Sequence, residues 1–500
     1  ANATDTYSIG ILKSIDGGNS WNTTGLSYSV DQEKTVNKII INPGFTDSLY
    51  AITNSNILIS PDAGNTWSVV GSLGRWRDIE FKPDNHHTLY AAKQSSGGSA
   101  IYRSTDGGGS WNIIDNGMSG SRYRPLIAVT PANPNIIYAL FSASDYGFHA
   151  LYKSSDSGDS WAVQSNSPNI LGRAPDGTSI GGPAWYDLSL GVSNTNENLI
   201  YVGGITLWKS TTGGVDWQID GNSGDDQQLY SYMHVDQHAL EFNPHTDVPY
   251  AGNDGGVYKY VDALNKWVDI SDGLAISQFY NLGLSKSNPD KLLAGAQDNG
   301  TEMLTNTTWD AVMGGDGMEC AFDNYSDQII YAEYQYGGLR KSEDGGAPNS
   351  WVNIKPVNYE GAWNTPYEIH ATNQFLIVIG YDEVYRSEDA GISWDSISYN
   401  VTNAQAIRSI ALAPSNEDYI YAASYSKIKV SKDAGQNWTY IKPGLANYNI
   451  TDIAVATNNP DRAWVTFSDY NNIHKVYETN DAGNSWTNIS GNNLPELPVN

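Results

Sequence analysis

Short runs of apolar residues, four to six long and broken by glycine, asparagine, aspartate and proline, fill this chain from end to end. Val36 to Pro43 (VNKIIINP) reads as a strand closed by a turn, Ser48 to Thr53 (SLYAIT) as a second, and Ile57-Leu58-Ile59 and Ser68-Val69-Val70 as a third and fourth. The same quartet recurs along the chain, with Ile101-Tyr102 standing where Ile57-Leu58-Ile59 stands in the first. Helical periodicity is almost absent. Four short antiparallel strands cannot bury both faces of the sheet they form, so such units must stack on one another, and the predicted fold class is an all-β propeller.

A signature marks the turn between the third and fourth strand, and its clean form is Ser-x-Asp-x-Gly-x-x-Trp. It is intact at Ser14-Asp16-Gly18-Trp21, Ser60-Asp62-Gly64-Trp67, Ser104-Asp106-Gly108-Trp111, Ser154-Asp156-Gly158-Trp161, Ser387-Asp389-Gly391-Trp394 and Ser431-Asp433-Gly435-Trp438. Ser210-Thr212-Gly214-Trp217 replaces the acid, Thr479-Asp481-Gly483-Trp486 replaces the serine, and Ser342-Asp344-Gly346 reaches Trp351 after two extra residues. Eroded copies lie at Tyr260-Asp262-Leu264-Trp267 and from Thr305 to Trp309, which brings the total to eleven. An aspartate two places after a serine can accept bonds from nearby N–H groups while glycine takes a positive φ, so the segment closes a hairpin and the tryptophan folds back as an apolar plug.

These signatures resemble the Asp-box, or bacterial neuraminidase repeat, of a propeller superfamily that includes sialidases, xyloglucan-active glycoside hydrolases and sortilin-type receptors. The resemblance covers nearly the whole chain. It implies a propeller in which Asp16, Asp62, Asp106, Asp156, Asp344, Asp389, Asp433 and Asp481 are structural, because the box in these families is a corner away from the active centre. Eleven boxes exceed the usual four to eight blades, which leaves one large ring, as in the sortilin-type receptors, or two propellers in tandem, as in the xyloglucan-active enzymes. Two are favoured, with one propeller over residues 1–270 and a second, or the continuation of a larger ring, over 271–500, the boundary falling near Ser271-Asp272-Gly273. The tail Leu494 to Asn500 reads as a further strand that closes a ring or is cut from a longer protein.

Composition narrows the setting. Tyrosine and tryptophan are abundant, 33 and 16 in 500 residues, and Cys320 is the single cysteine, read as a small buried hydrophobe. A long chain without a possible internal disulfide fits export by a bacterium, and Ala1-Asn2-Ala3-Thr4 reads as a mature terminus, so a secreted or cell-surface location is expected. With 55 acidic against 28 basic side chains the net charge is −27, which repels nucleic acid and anionic membranes. Neutral glycans, surface proteins, cationic partners and a structural calcium or other divalent metal remain compatible with it. No transmembrane stretch is present, and membrane insertion is not expected.

Candidate chemistry lies where the repeat breaks, between Tyr230 and Glu319. Four polar clusters stand there: His234-Val-Asp236-Gln237-His238, Asn253-Asp254-Gly255-Gly256, Gln297-Asp298-Asn299-Gly300 and Gly314-Gly315-Asp316-Gly317. Together they resemble a segment of secreted surface propellers of Bacteroidetes-like bacteria. Strand alternation would place His234, Asp236 and His238 on one face, either as ligands of zinc or a similar ion or as a hydrogen-bonded polar strand. Asp254, Asp298 and Asp316 sit beside glycines, as turn residues or as a general acid and base; an inverting glycosidase needs its two carboxyl groups about 6.5–9.5 Å apart. Asn-Asp254-Gly-Gly-Val-Tyr resembles the Asp-x-Gly-Gly-x-Tyr run of the xyloglucan-active enzymes, which implies a catalytic acid at Asp254. Trp76, Trp185, Tyr186, Tyr334, Tyr336 and Trp363 occupy no box position and are candidates for a sugar platform. A three-arginine sialidase site is not expected, since Arg124-Pro125 is the nearest fragment of its motif, and no P-loop occurs. The expected function is therefore recognition of extracellular glycans or proteins, with an inverting endo-glycoside hydrolase acting on a neutral β-glucan as the alternative.

Overall fold

The computed structural model describes the chain except residues 1–6, 30–31, 72, 225–229, 399–400, 402–404, 469–473, 492–493, 495–498 and 500. The mature-terminus reading at Ala1 to Thr4, and most of the tail reading after Leu494, lie outside the described residues. Val499 is described, and its N–H donates to Phe467 O at 3.4 Å.

Among the described residues there is no α-helix, and the strands form one two-stranded, nine four-stranded and one five-stranded sheet. The chain divides into two compact units, Ala1–Ala275 and Ile276–Asn500. In the first, five full sheets begin at strands Val36–Ile41, Arg75–Lys82, Pro125–Val129, Ser189–Val192 and Gln237–Phe242. The second contains five that begin at Phe279–Leu284, Gly317–Phe322, Tyr367–Ile369, Ser409–Leu412 and Asn449–Ala456. Each four-stranded sheet is antiparallel in sequence order, as short hairpin connections require.

The second strand of a sheet shows why single sheets cannot stand alone. Ile137–Ser142, Ile377–Gly380 and Ile420–Ala423 are buried at every position, so neighbours cover both of their faces. The cores lie between consecutive sheets. Tyr90 and Ile101 of one sheet meet Ile127, Phe141, Tyr152 and Trp161 of the next, with Ile114 between them. Each such side chain contributes roughly 1.5–3 kcal/mol by leaving water.

The signature loops follow one geometry. Ser60 Oγ donates to Asp62 Oδ1 at 2.9 Å and accepts from Gly64 N at 2.8 Å; Asp62 Oδ1 accepts from Thr66 N at 2.8 Å and Oδ2 from Thr66 Oγ1 at 2.7 Å. The same set recurs at Asp16, Asp106, Asp156, Asp389, Asp433 and Asp481. Asp344 departs from it: the two inserted residues bring Ser350 Oγ onto Ser342 Oγ at 2.6 Å, in place of the aspartate. Glycine is needed in these loops for more than its positive φ, since a Cβ on Gly158 would lie 2.5 Å from Ile114 Cδ1 of the preceding sheet.

The signature tryptophan does more than plug its own corner. Eight of these indoles donate Nε1–H to the preceding sheet or the residue just after it, as in Trp111 to Val70 O (3.2 Å), Trp161 to Ile114 O (2.6 Å) and Trp486 to Ile441 O (2.7 Å). Two run against the expectation of burial: Trp21 is 60% and Trp309 44% exposed, the first beside the two-stranded sheet and the second in the most eroded copy.

Candidate functional site

In the first unit the residues that leave the repeat pattern stand just before first strands and in one hairpin turn. Asp187 precedes Ser189–Val192 by two residues, Asp236 directly precedes Gln237–Phe242, and Asp254-Gly255 is the two-residue turn joining Pro249–Asn253 to Gly256–Val261. The strand expected from His234 begins only at Gln237, because Asp236 takes a left-handed φ of 62° that ends the extended run. His234, Asp236 and His238 therefore do not alternate on one strand.

A buried polar brace sets this segment. Gln237 is fully buried and its Nε2 donates to His234 O at 2.6 Å, while Asn253 Nδ2 donates to His234 O at 3.2 Å and to Gln237 Oε1 at 3.3 Å. The turn must then carry glycine, since a Cβ on Gly255 would sit 2.4 Å from His234 Cγ.

Asp254 accepts two bonds on this frame, from Tyr186 OH to Oδ2 at 2.9 Å and from His238 Nε2 to Oδ1 at 2.6 Å. Tyr186 stands edge-on to His238 with centroids 4.7 Å apart, and Trp185 lies 5.6 Å from Tyr186. Trp185 is 54% and Tyr186 43% exposed. Behind them Asp187 is fully buried, with the carboxyl of Asp236 beside its own. Burial first, and the charge of Asp236 second, push its carboxyl well above the usual carboxylate range, which favours its protonated form. Burial and the neighbouring Asp254 raise Asp236 as well. Asp187, Asp236 and Asp254 thus form an acidic cluster. Of the three metal candidates, Asp236 adjoins Asp187, His238 is engaged by Asp254, and His234 Nδ1 lies 3.2 Å from Val235 O.

The other candidates fall in the second unit. Gln297 Nε2 donates to Asp298 Oδ1 and to Asp316 Oδ1, each at 2.7 Å, and Asp298 N donates to Asp316 Oδ1 at 3.0 Å. Tyr280 OH bonds Gln297 Oε1 and accepts from Trp363 Nε1 at 3.0 Å, and Trp363 meets Tyr336 edge-on at 5.2 Å. Tyr334 is covered by the Arg340 guanidinium, 5.2 Å from its centroid. Trp76 corrects the expectation of an exposed platform. It is fully buried against Tyr102 and Trp111, because the Arg-Trp-Arg run is a strand whose central residue points into the core.

Sequence reasoning passes over Asp187 and weighs Arg124 only as a fragment of a sialidase motif, although Arg124 Nη1 donates to Ala184 O and Tyr186 O and so fixes the Trp185-Tyr186 loop. The signal available was that Asp187 directly follows two aromatics that stand outside any box.

No protein-family model matches the chain, and no curated protein matches it in sequence. Among solved structures it is similar to an ancestral GH74 enzyme, at 14% identity over 97% of this chain and 81% of that one, with a TM-score of 0.52. It is also similar to the GH74 xyloglucanase of Xanthomonas campestris (13% identity, 97% and 75% covered, TM-score 0.38) and to a GH74 enzyme of Niastella koreensis (16%, 90% and 78%, 0.35). The first likeness shows the fold, a β-propeller architecture built of four-stranded sheets. No helix among the described residues is long and apolar enough to cross a membrane.

Proposed function

We propose that this chain binds an extracellular neutral polysaccharide through the aromatic and acidic surface of its first unit. The observation that carries the reading is the pinned pair Trp185 and Tyr186: their rings are exposed, yet the loop is fixed by Arg124 and the tyrosine hydroxyl by Asp254. Aromatic faces held rigid before a ligand arrives stack on a pyranose ring at little conformational cost. Asp254 and His238 beside them offer the hydrogen bonds that orient sugar hydroxyls. A location outside the cell belongs to the same reading and is supported by the net charge of −27 and the single cysteine.

Hydrolysis is the second reading, favoured by one observation: a buried carboxyl raised above the usual range stands beside Asp236, which in turn adjoins an Asp254 engaged as an acceptor. Within this unit an oxygen of Asp236 and an oxygen of Asp254 lie within 4.8 Å of each other, close enough for both carboxyl groups to meet one ligand.

Gel-retardation and reducing-sugar assays on xyloglucan and mixed β-glucan decide between the readings. Retention by the parent chain that weakens about tenfold in Trp185→Ala, with no sugar released, supports binding. Sugar release abolished by Asp236→Asn would instead establish the hydrolase. Absence of retention on every polysaccharide tested would remove both.

A further inference from the structure

The second unit contains an open cavity of about 640 Å³ whose wall is built from the first strand of each of its five sheets. That volume falls within the range of small-molecule sites. Its lining is unlike a packed propeller axis. Glu319, Glu368 and Asp452 face it together with Asn364, Arg408 and Tyr425.

Several of these groups are fixed in position. Asn364 Nδ2 donates to Glu319 Oε1 at 3.0 Å, Asn281 Nδ2 bonds Glu319 Oε2, and Glu368 Oε2 accepts from Leu412 N at 2.6 Å. Asp452 Oδ1 accepts from Ser409 Oγ at 2.9 Å. The Arg408 guanidinium lies over the Tyr425 ring, 4.4 Å from its centroid, and among the described residues it has no carboxylate partner. Asn364 Oδ1 is sealed from solvent without a donor, a state that costs about 1–3 kcal/mol unless something supplies one.

The donor and acceptor inventory selects the ligand. Burial raises both Glu319 and Glu368 to about 7, so near neutrality each is poised to donate or accept. A hydroxyl group both donates and accepts, whereas an ammonium only donates and would demand ionised carboxylates that this environment disfavours. Arg408, without a carboxylate partner among the described residues, further opposes a cation.

We propose that the cavity of the second unit is a separate binding site for a neutral sugar of one or two rings, held by Asn364, Arg408 and the two glutamates. It belongs to the second unit and does not depend on the role of the aromatic surface of the first.

Ligand-observed NMR on the full chain, with glucose, galactose, xylose and cellobiose as probes and glucosamine as the charged control, tests it. The expected result is binding of at least one neutral probe, weakened about tenfold (~1.4 kcal/mol) in Asn364→Leu and in Arg408→Met and unchanged in Trp185→Ala. Arg408→Met keeps the stem over Tyr425 and serves where Asn364→Leu fails to fold. Binding lost in Trp185→Ala but kept in both cavity variants would overturn the proposal, as would glucosamine binding without glucose, or no binding of any neutral probe.

Discussion

Two populations of carboxyl groups divide this molecule, and they are opposites. At the loops between third and fourth strands, Asp106 and Asp156 are exposed and bind donors on every side; the Ser110 and Ser160 hydroxyls foremost, then the backbone, hold them down at about 2. At the inner strands, Glu319 and Glu368 are deprived of water and pushed up to about 7. The first group is used up by its own turn. The second keeps hydrogen-bonding capacity that the fold does not consume, and that residual capacity, rather than acidity as such, separates a site from a scaffold.

The largest effect expected from breaking the scaffold side is at the tryptophans. Trp161→Ala removes a side chain only 5% exposed, together with its bond to Ile114 O, and should cost about 3–5 kcal/mol in denaturant unfolding while leaving sugar binding by the folded fraction unchanged.

Next comes the pH dependence, where the two populations predict opposite slopes. Glu319 and Glu368 have folded values above their unfolded 4.5, so the native state binds more protons between about 4.5 and 7. Their contribution therefore falls as pH rises through that window. Glu319→Gln should flatten this slope by about 1–3 kcal/mol, seen as a melting temperature that changes less between pH 5 and pH 8. The box aspartates have folded values below the unfolded 3.8. Their stabilisation is present above about 4 and lost as pH falls toward 2. An acid melt that is unchanged in Asp106→Asn would show that the loop bonds carry no stability.

Smaller still is Asp106→Asn at neutral pH, which should lower the melting temperature by no more than a few degrees. Trp185→Ala should shift stability least, within about 0.5 kcal/mol, because its ring is mostly exposed. A large loss there would make it a packing residue and remove the platform.

Much of the fold was legible because the signature is a local device: Ser, Asp and Gly at fixed offsets close the same hairpin wherever they occur, and the loops at Asp62 and Asp389 have the same bonds. Trp76 was misread because an exposed run and a buried strand centre look alike when flanked by arginines; burial is decided by the neighbouring sheet. The alternation of His234, Asp236 and His238 failed on one backbone angle, at Asp236, which residue type does not dictate. Asp254, Tyr186 and His238 converge from segments up to 68 residues apart, and Asp187 and Glu319 owe their character to burial, which spacing cannot express.

The indole bond from eight of the signature tryptophans to the sheet before them gives assembly a direction. A sheet that has just left the ribosome has no successor to latch it, and becomes fastened only when the next loop arrives some forty residues later. Each unit would thus be secured from its N-terminal side onward, like a zip closed by its own advancing slider.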